Sequence, residues 1–193
     1  MDGLDEVPDF QSENWSCGLA CVAAITNLNE EQLVNDFQRA TANCGSVWTP
    51  DLLFLLPDSA RLYSTSLVID PHFAELAYYR KRFETDRARV TPLLDRARDQ
   101  GRALEKKFAT ASVPGMLETH HCICLVDKSA LGGFSADGYS GHYVLLLGYE
   151  DGVFSYWDPD RTFAGLRHID ERRLDEARAV DGTDWDIVFV PKT

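Results

Sequence analysis

The first half of the chain carries apolar segments with helix-forming residues and recognisable helix start signals. Residues 17–27 are rich in alanine and contain no proline, which favours a helix. A second helix is predicted at 30–40, where Asn29 can cap the first turn and Gln32 can complete a capping box. A third is predicted to begin at Thr49, a cap residue that proline follows.

The middle of the chain changes from a predicted strand to a long, charged helical segment. Residues 61–69 have the β-branched and aromatic content of a strand. Residues 73–100 favour helix, although Pro92 predicts a break or kink and Gly101 predicts a C-terminal stop. A short helix is predicted at 113–119.

The second half contains short apolar runs bounded by glycine, aspartate and proline. Such runs are typical of antiparallel strands that are buried on both faces. One amphipathic helix, at 170–179, separates the last two runs. The predicted strands are residues 121–127, 142–150, 153–160 and 185–192.

Helices first and strands last predict an α+β fold in two lobes. We expect a single domain over residues 1–193, with a mostly helical lobe at 7–120 and a mostly antiparallel sheet at 121–193. This length suits one domain with a sizeable core. A cleft between the lobes is the expected position of a functional site.

Composition and charge narrow the classes of function. Hydrophobic residues make up 45% of the chain and charged residues 26%, as in ordinary soluble globular proteins. Nucleic-acid binding requires a basic surface, and a chain with a net charge of −12 is not expected to provide one, so no nucleic-acid partner is expected. The longest apolar runs, such as YVLLLGY, are far shorter than the ~20 residues of a spanning helix, so no membrane partner is expected.

The N-terminus and the cysteines predict a cytoplasmic protein. The sequence MDGLDEVPDF is acidic, whereas a secretory signal begins with basic residues and has an apolar centre. In the cytosol or nucleus the five cysteines would stay reduced. Their spacing does not match a disulfide framework. They lie at positions 17, 21, 44, 122 and 124.

One cysteine, Cys17, lies where a polar loop meets the alanine-rich helix. A free thiol with a pKa near ~8.5 is mostly protonated at neutral pH, and a helix N-terminus or an imidazolium lowers that pKa. Among the five histidines, His142 opens the strand GHYVLLLGYE, where its side chain can reach across a cleft. Cys17 and His142 are therefore the predicted nucleophile and base. The alternative is that Cys17 is a small core residue.

A catalytic imidazole also needs an orienting partner, and Asp158 ends the next predicted strand. If EDG forms a two-residue turn in a regular ladder, Asp158 lies opposite Leu145 and points away from the face of His142. If EDG forms a three-residue loop, or an equivalent bulge is present, Asp158 lies opposite Val144 and shares that face. We therefore predict the loop or the bulge.

Acyl transfer places negative charge on a carbonyl oxygen, so oxyanion donors are expected near the nucleophile. The backbone N–H of Cys17 supplies one donor, and the side-chain amide of Gln11, six residues upstream, is the predicted second. No cofactor or metal is predicted. The run HHCIC at 120–124 could place three ligands on one strand face, but its spacings are not those of common zinc modules.

Three stretches, QSENWSCGLAC, GHYVLLLGY and YWDPD, resemble the C39-like branch of the papain-fold cysteine peptidases. There the pattern is Gln, then Asp-Cys-Gly-x-Ala-Cys, then Gly-His opening a strand, then Asp-Pro. The chain is most similar to the guanylyl cyclase domain-containing family within that branch. The stretches SVWTPDLLFLL, YYRKRFETDRARV and GTDWDIVFV extend this resemblance over roughly residues 7–190. Ser16 stands where the pattern commonly has Asp, and its hydroxyl is predicted to cap the helix.

The resemblance implies a papain-like fold and a cysteine-dependent hydrolase of peptide, isopeptide or related acyl bonds, acting on a peptide or protein substrate. The family name implies a rival activity, guanylyl cyclase, although the chain has no glycine-rich phosphate-binding motif. A third interpretation is a peptidase-fold binding module without turnover. The sequence leaves the oligomeric state open.

Overall fold

The computed structural model describes residues 10–42, 46–132, 138–162 and 165–192. Within these ranges, helices pack against a single seven-stranded sheet. No helix in the described part of the chain is both long enough and apolar enough to cross a bilayer.

The helices of the first half follow the local sequence signals. The predictions of helices at 17–27 and 30–40 are confirmed, and the Asn29 side chain accepts a hydrogen bond of 2.9 Å from the N–H of Gln32. The described α-helices are α1 (Cys17–Thr26), α2 (Glu30–Ala40), α3 (Thr49–Leu55), α4 (Ala77–Arg80), α5 (Phe83–Asp99), α6 (Val113–Leu117) and α7 (Glu171–Arg178), with 3₁₀ turns at Pro71–Glu75 and Thr110–Ser112.

Two details of the predicted helices are wrong. Thr49 does not cap α3: it is the first helical residue, and its hydroxyl contacts Asp186 and the Tyr143 hydroxyl instead. The break predicted at Pro92 is wrong, because α5 continues through this residue from Phe83 to Asp99. Pro92 lies on the exposed side of α5, where water can bind the Ala88 carbonyl that lacks an N–H partner. The predicted stop is confirmed, because Gly101 follows the helix with a φ of 64°.

The strands form one mixed sheet in the order β2-β1-β7-β3-β4-β5-β6. The first two strands of the chain pair in parallel with each other, and all the other described neighbours are antiparallel. The strands are β1 (Arg61–Ser64), β2 (Ala103–Glu105), β3 (His120–Asp127), β4 (Gly141–Glu150), β5 (Val153–Asp158), β6 (Gly165–Asp170) and β7 (Ile187–Pro191).

The predicted α+β class is confirmed, with a larger sheet than the sequence indicates. The strand predicted at 61–69 is only the four residues of β1. Neither β2 nor β6 was predicted, and β6 occupies residues just before the helix predicted at 170–179. Both strands lie at an edge of the sheet. They are strands because they pair with a neighbour, and their own sequences give no clear strand signal.

Two apolar cores lie on opposite faces of the sheet. The first joins α1, α2, α3 and α5 to the sheet through residues such as Tyr143, Leu145 and Trp157. The second joins α6 and α7 to the opposite face, around residues such as Val144 and Leu146. Because successive residues of β4 alternate between the two cores, this strand is buried on both faces along most of its length. Its first residues lie at the end of the sheet beside α1.

Candidate active site

Cys17 is the first residue of α1 and is 6% exposed. The N–H of Tyr143, in β4, donates to Cys17 Sγ over 3.5 Å. Gly18 permits this approach: a Cβ there would lie 2.9 Å from the Tyr143 ring and 3.0 Å from the Leu52 side chain. The N-terminus of α1 therefore packs against the start of β4, and the glycine that follows Cys17 makes that contact possible.

Ser16 does not cap α1, contrary to the prediction. Its hydroxyl instead donates to the carboxylate of Glu30 over 2.7 Å, and no side-chain cap bond forms. The same Glu30 carboxylate accepts the N–H of Ser12 over 3.1 Å. A buried carboxylate is a stronger acceptor than neutral groups are, which accounts for the direction of the hydroxyl. Glu30, the first residue of α2, thus fixes the loop that precedes Cys17.

His142 and Asp158 lie side by side at the same end of the sheet. His142 follows the first residue of β4 and is 3% exposed, and Asp158 ends β5 and is 2% exposed. His142 Nε2 and Asp158 Oδ1 are 2.8 Å apart. Asp158 also accepts the N–H of Asp160 over 3.0 Å, and the Arg167 guanidinium lies 3.6 Å from its other oxygen. His142 also forms a side-chain hydrogen bond with Cys17, and because Nε2 contacts Asp158, Nδ1 is the ring nitrogen left for the thiol.

A bulge in β4 sets the register between β4 and β5 that places His142 and Asp158 on the same face of the sheet. Asp151 and Gly152 form a two-residue turn with φ values of 49° and 85°, closed by Glu150 opposite Val153, so the predicted three-residue loop is wrong. The equivalent bulge is confirmed, because pairing shifts by one residue between Leu146 and Gly148. From there the ladder brings Asp158 onto the face of His142.

Opposing effects set the ionisation of the Cys17–His142 pair. Burial raises the pKa of the Cys17 thiol, but the charge and hydrogen bond of His142, together with the N–H groups of Tyr143 and Gly18, outweigh burial and lower this pKa. Burial lowers the pKa of His142, but the charge of Cys17 and the hydrogen bond to Asp158 raise it to about 9. The pair therefore favours thiolate and imidazolium over the two neutral groups.

Gln11 lies close to this group without a hydrogen bond to it. It is 5% exposed, and its backbone N–H donates to the Pro159 carbonyl over 3.0 Å. Its side-chain Oε1 is buried and has no partner among the described residues. The structure thus brings Cys17, His142 and Asp158 together and anchors Gln11 beside the end of β5. The oxyanion role of the Gln11 amide stays a prediction.

Several residues around the site carried no sequence signal. Tyr143 donates to the thiol through its backbone, so its side chain could not have indicated the contact. The Tyr78 hydroxyl donates to the Gly141 carbonyl over 3.2 Å, next to His142, and Tyr78 also borders an open cavity of about 350 Å³. Trp15, two residues before Cys17, lines the same cavity. Only Gly18 could have been recognised, as a glycine in the first turn of a helix.

The other described cysteines lie in apolar surroundings. Cys21 belongs to the first core, and Cys122 and Cys124 belong to the second. Burial raises the pKa of all three thiols. In the described residues, no three His, Cys, Asp or Glu side chains come together in a way that could hold a metal ion. Cys44 lies outside the described residues.

The family model and one curated relative agree with the guanylyl cyclase family resemblance inferred from the sequence. Guanylyl cyclase 1 of Arabidopsis thaliana is 27% identical over 207 residues, which cover 93% of this chain and 73% of the relative. The peptidase domain of Streptococcus ComA, a bifunctional ABC transporter of a quorum-sensing pathway, superposes with a TM-score of 0.47 at 10% identity, covering 96% of this chain and 98% of that domain. A protein from Bacillus anthracis described as a C39-like peptidase gives a TM-score of 0.49 at 12% identity, with 99% and 97% covered. Residues 8–190 match the family model described as guanylylate cyclase, and the chain belongs to this family.

Proposed function

We propose that the protein is a cysteine-dependent hydrolase of peptide, isopeptide or related acyl bonds. One observation carries the proposal: a buried imidazole, His142, interacts with both a buried thiol and a buried carboxylate, and the pKa values of Cys17 and His142 are shifted toward the charged forms. Nucleophilic cysteines require this environment, because the thiolate is the reactive form. A purely structural cysteine has no need of it.

In the proposed cycle, the Cys17 thiolate attacks the acyl carbonyl carbon to form a tetrahedral intermediate. The His142 imidazolium gives its proton to the leaving amine as the carbon–nitrogen bond breaks, which leaves a thioester on Cys17. Neutral His142 then takes a proton from water, which attacks the thioester and releases the acid. Asp158 acts as a positioning residue that holds the imidazole through Nε2.

The oxyanion of the intermediate is assigned to two donors. The N–H of Cys17 belongs to the first turn of α1, whose amides have no acceptor within the helix. The Gln11 amide is the second, because the bond to Pro159 holds its backbone at the end of β5. We further propose a cytoplasmic location, since the described cysteines are all unpaired and a reducing compartment keeps them so.

Guanylyl cyclase activity is a second candidate, which the family description and the name of the Arabidopsis relative favour. The charges of α5 give this candidate little support, because Arg87, Arg89 and Arg98 already bind carboxylates. Arg87 pairs with Glu84 at 2.8 Å and Arg98 with Asp95 at 2.6 Å. These groups would have to exchange partners before they could neutralise a triphosphate.

The experiment that tests the proposal is alkylation with iodoacetamide from pH 5 to 10, followed by peptide mapping by mass spectrometry. We expect Cys17 to react well below pH 8 while Cys21, Cys122 and Cys124 resist. A Cys17 that reacts no faster than these three thiols would remove the nucleophile and favour a binding module. Cleavage of a panel of peptide and isopeptide substrates by wild type, but not by Cys17→Ala, then tests turnover. Formation of cyclic GMP that survives Cys17→Ala would establish the cyclase instead.

A further inference from the structure

We propose that the open cavity beside Cys17 binds an acidic side chain of a peptide substrate. This inference rests on the proposed hydrolase function and assigns a chemical class to its substrate. The cavity has a volume of about 350 Å³, which suits one side chain and its backbone.

The cavity lies next to the reacting groups. Trp15 forms one wall and is joined to Cys17 through the single residue Ser16. Tyr78 forms another wall, and its hydroxyl donates to the carbonyl of Gly141, the neighbour of His142. A substrate held by Cys17 would therefore place an adjacent side chain in this cavity.

Two cations line the cavity, Lys81 and Arg82 at the junction of α4 and α5. Neither forms an ion pair with a carboxylate in the part of the chain that the structure describes. The nearest acids along the sequence bind other partners: Glu84 pairs with Arg87 at 2.8 Å, and Asp86 lies 3.7 Å from Arg89. In a chain with a net charge of −12, two cations in one cavity indicate an anionic ligand.

The remaining walls fit an acidic side chain better than a bare anion. Trp15 and Tyr78 offer aromatic surfaces against which methylene groups can pack, and Gln38 and Ser46 offer side-chain donors to a carboxylate. A smaller cavity that shares Tyr78 and Val47 is lined by the carboxylates of Asp184 and Asp186. Among the described residues no cation lines this second cavity, so the first cavity is the better match for an acidic side chain.

The test uses two alkylating reagents that differ only in charge, N-bromoacetyl-glutamic acid amide and N-bromoacetyl-glutamine amide. In both, the Cys17 thiolate displaces bromide and forms a thioether. We expect the glutamic acid reagent to label Cys17 about fivefold to tenfold faster than the glutamine reagent, a preference expected for two exposed cations that act together. The preference should shrink in 1 M salt, where screening acts within a few ångströms.

The readout is the ratio of the two labelling rates, which cancels any change in the reactivity of Cys17 itself. The ratio should fall to near one in the double variant Lys81→Ala/Arg82→Ala. It should persist in Lys81→Arg/Arg82→Lys, which keeps both charges. The matched control is Arg39→Ala/Arg172→Ala, which removes two cations that are 77% and 75% exposed and do not line the cavity.

Each contrary result is distinct. Equal rates for the two reagents in wild type, with Cys17 still reactive toward iodoacetamide, would overturn the cavity assignment and leave the hydrolase proposal in place. A preference that survives Lys81→Ala/Arg82→Ala would also overturn it. If GTP blocks labelling in wild type but not in that variant, the cavity is a nucleotide site and the peptide assignment is wrong. A Cys17 that resists iodoacetamide removes the hydrolase and this inference together.

Discussion

Two neighbouring parts of the molecule bury cysteine side chains: the start of α1, which holds Cys17, and the interior of β3, which holds Cys122 and Cys124. Cys17 is 6% exposed, and the other two are fully buried. In β3, burial raises the pKa of Cys124 to about 11 and that of Cys122 well above its ordinary value. At Cys17 the same burial is outweighed, and the pKa is lowered. The difference is therefore made by the partners of the sulfur and not by its depth.

Cys21 shows how local this effect is. It lies one turn further along α1, also fully buried, and burial raises the pKa of its thiol well above the ordinary value. The charge of Cys17 raises it further. Since the imidazole and the N–H groups of Tyr143 and Gly18 act only on Cys17, one helical turn separates a thiol whose pKa is lowered from one whose pKa is raised.

His142→Ala should have the largest effect on the pKa of Cys17. It removes the main group that stabilises the thiolate, while the sulfur stays buried. Cys17 should then behave like Cys122, with its labelling rate by iodoacetamide at pH 7 reduced about 100-fold. Peptide mapping by mass spectrometry measures the rate at each cysteine. His168→Ala serves as the control, because this exposed histidine on β6 pairs with Ser155 of β5, three positions before Asp158. An unchanged rate at Cys17 would show that the partners do not make the difference.

Gly18→Ala should weaken the contact between α1 and β4. The new Cβ would lie 2.9 Å from the Tyr143 ring and 3.0 Å from Leu52, and both neighbours are buried. We expect a loss of about 2 kcal/mol in the free energy of unfolding, measured by urea titration, and slower labelling of Cys17. Gly115→Ala is the matched control, because its Cβ would meet nothing within 4 Å. Full stability and reactivity in Gly18→Ala would contradict this account of helix placement.

Asp158→Asn should act on Cys17 only through His142. The hydrogen bond and charge of Asp158 help to raise the pKa of His142, so the variant should lower this pKa and reduce Cys17 labelling at pH 7 about tenfold. NMR titration of the imidazole, assigned by its loss in His142→Ala, measures the pKa directly. A labelling loss without a lower His142 pKa would mean that Asp158 acts by folding alone.

Asp184→Asn extends the comparison to a carboxyl group whose pKa no cation lowers among the described residues. Burial, followed by the charges of Asp186 and other acids, raises the pKa of Asp184 to about 7 from 3.8. The folded chain binds this proton more tightly than the unfolded chain, so its contribution to stability is present below about pH 4 and is lost as the pH rises toward 7. The variant should therefore be more stable than wild type at pH 8 by about 1 kcal/mol, after allowance for screening.

Urea titrations at pH 4 and pH 8 would check this sign, since the advantage of Asp184→Asn should disappear at pH 4. Asparagine also suits the left-handed backbone at this position, where φ is 48°. Asp175→Asn, on the exposed side of α7, removes the same charge and is the control. If Asp184→Asn is more stable than wild type by the same amount at both pH values, the gain comes from the left-handed backbone at this position and not from loss of the titrating carboxyl group.

The sequence predicts those parts of the fold that local signals determine. The bounds of α2 follow from a cap residue and an apolar pattern, and β3 and β4 follow from long apolar runs. The short strand β2 exists only because it pairs with β1, and β6 has a single buried residue, Ile169. These two strands form because they pair with strands that are distant in the chain. The strand propensities of their own residues carry no information about that pairing.

For the site, the residue types were easier to predict than their contacts. Cys17, His142 and Asp158 could be selected because their positions at element ends are visible in the sequence. The direction of the Ser16 hydroxyl depends on Glu30, fourteen residues away in the next helix, and no local pattern indicates that bond. The donor to the thiol is a main-chain group of Tyr143, which every residue type could supply.

The bulge in β4 has a consequence for how relatives tolerate insertions and deletions. His142 and Asp158 are 16 positions apart, an interval that works only because the hairpin carries one surplus residue. A homologue with the same two-residue turn but no bulge would keep the histidine–aspartate contact if one residue fewer separated the two positions. A homologue that keeps the separation of 16 but has no bulge would keep both motifs and lose the contact, because the two side chains would lie on opposite faces of the sheet. Spacing must therefore be counted together with ladder regularity before a family member is ranked as active or inactive.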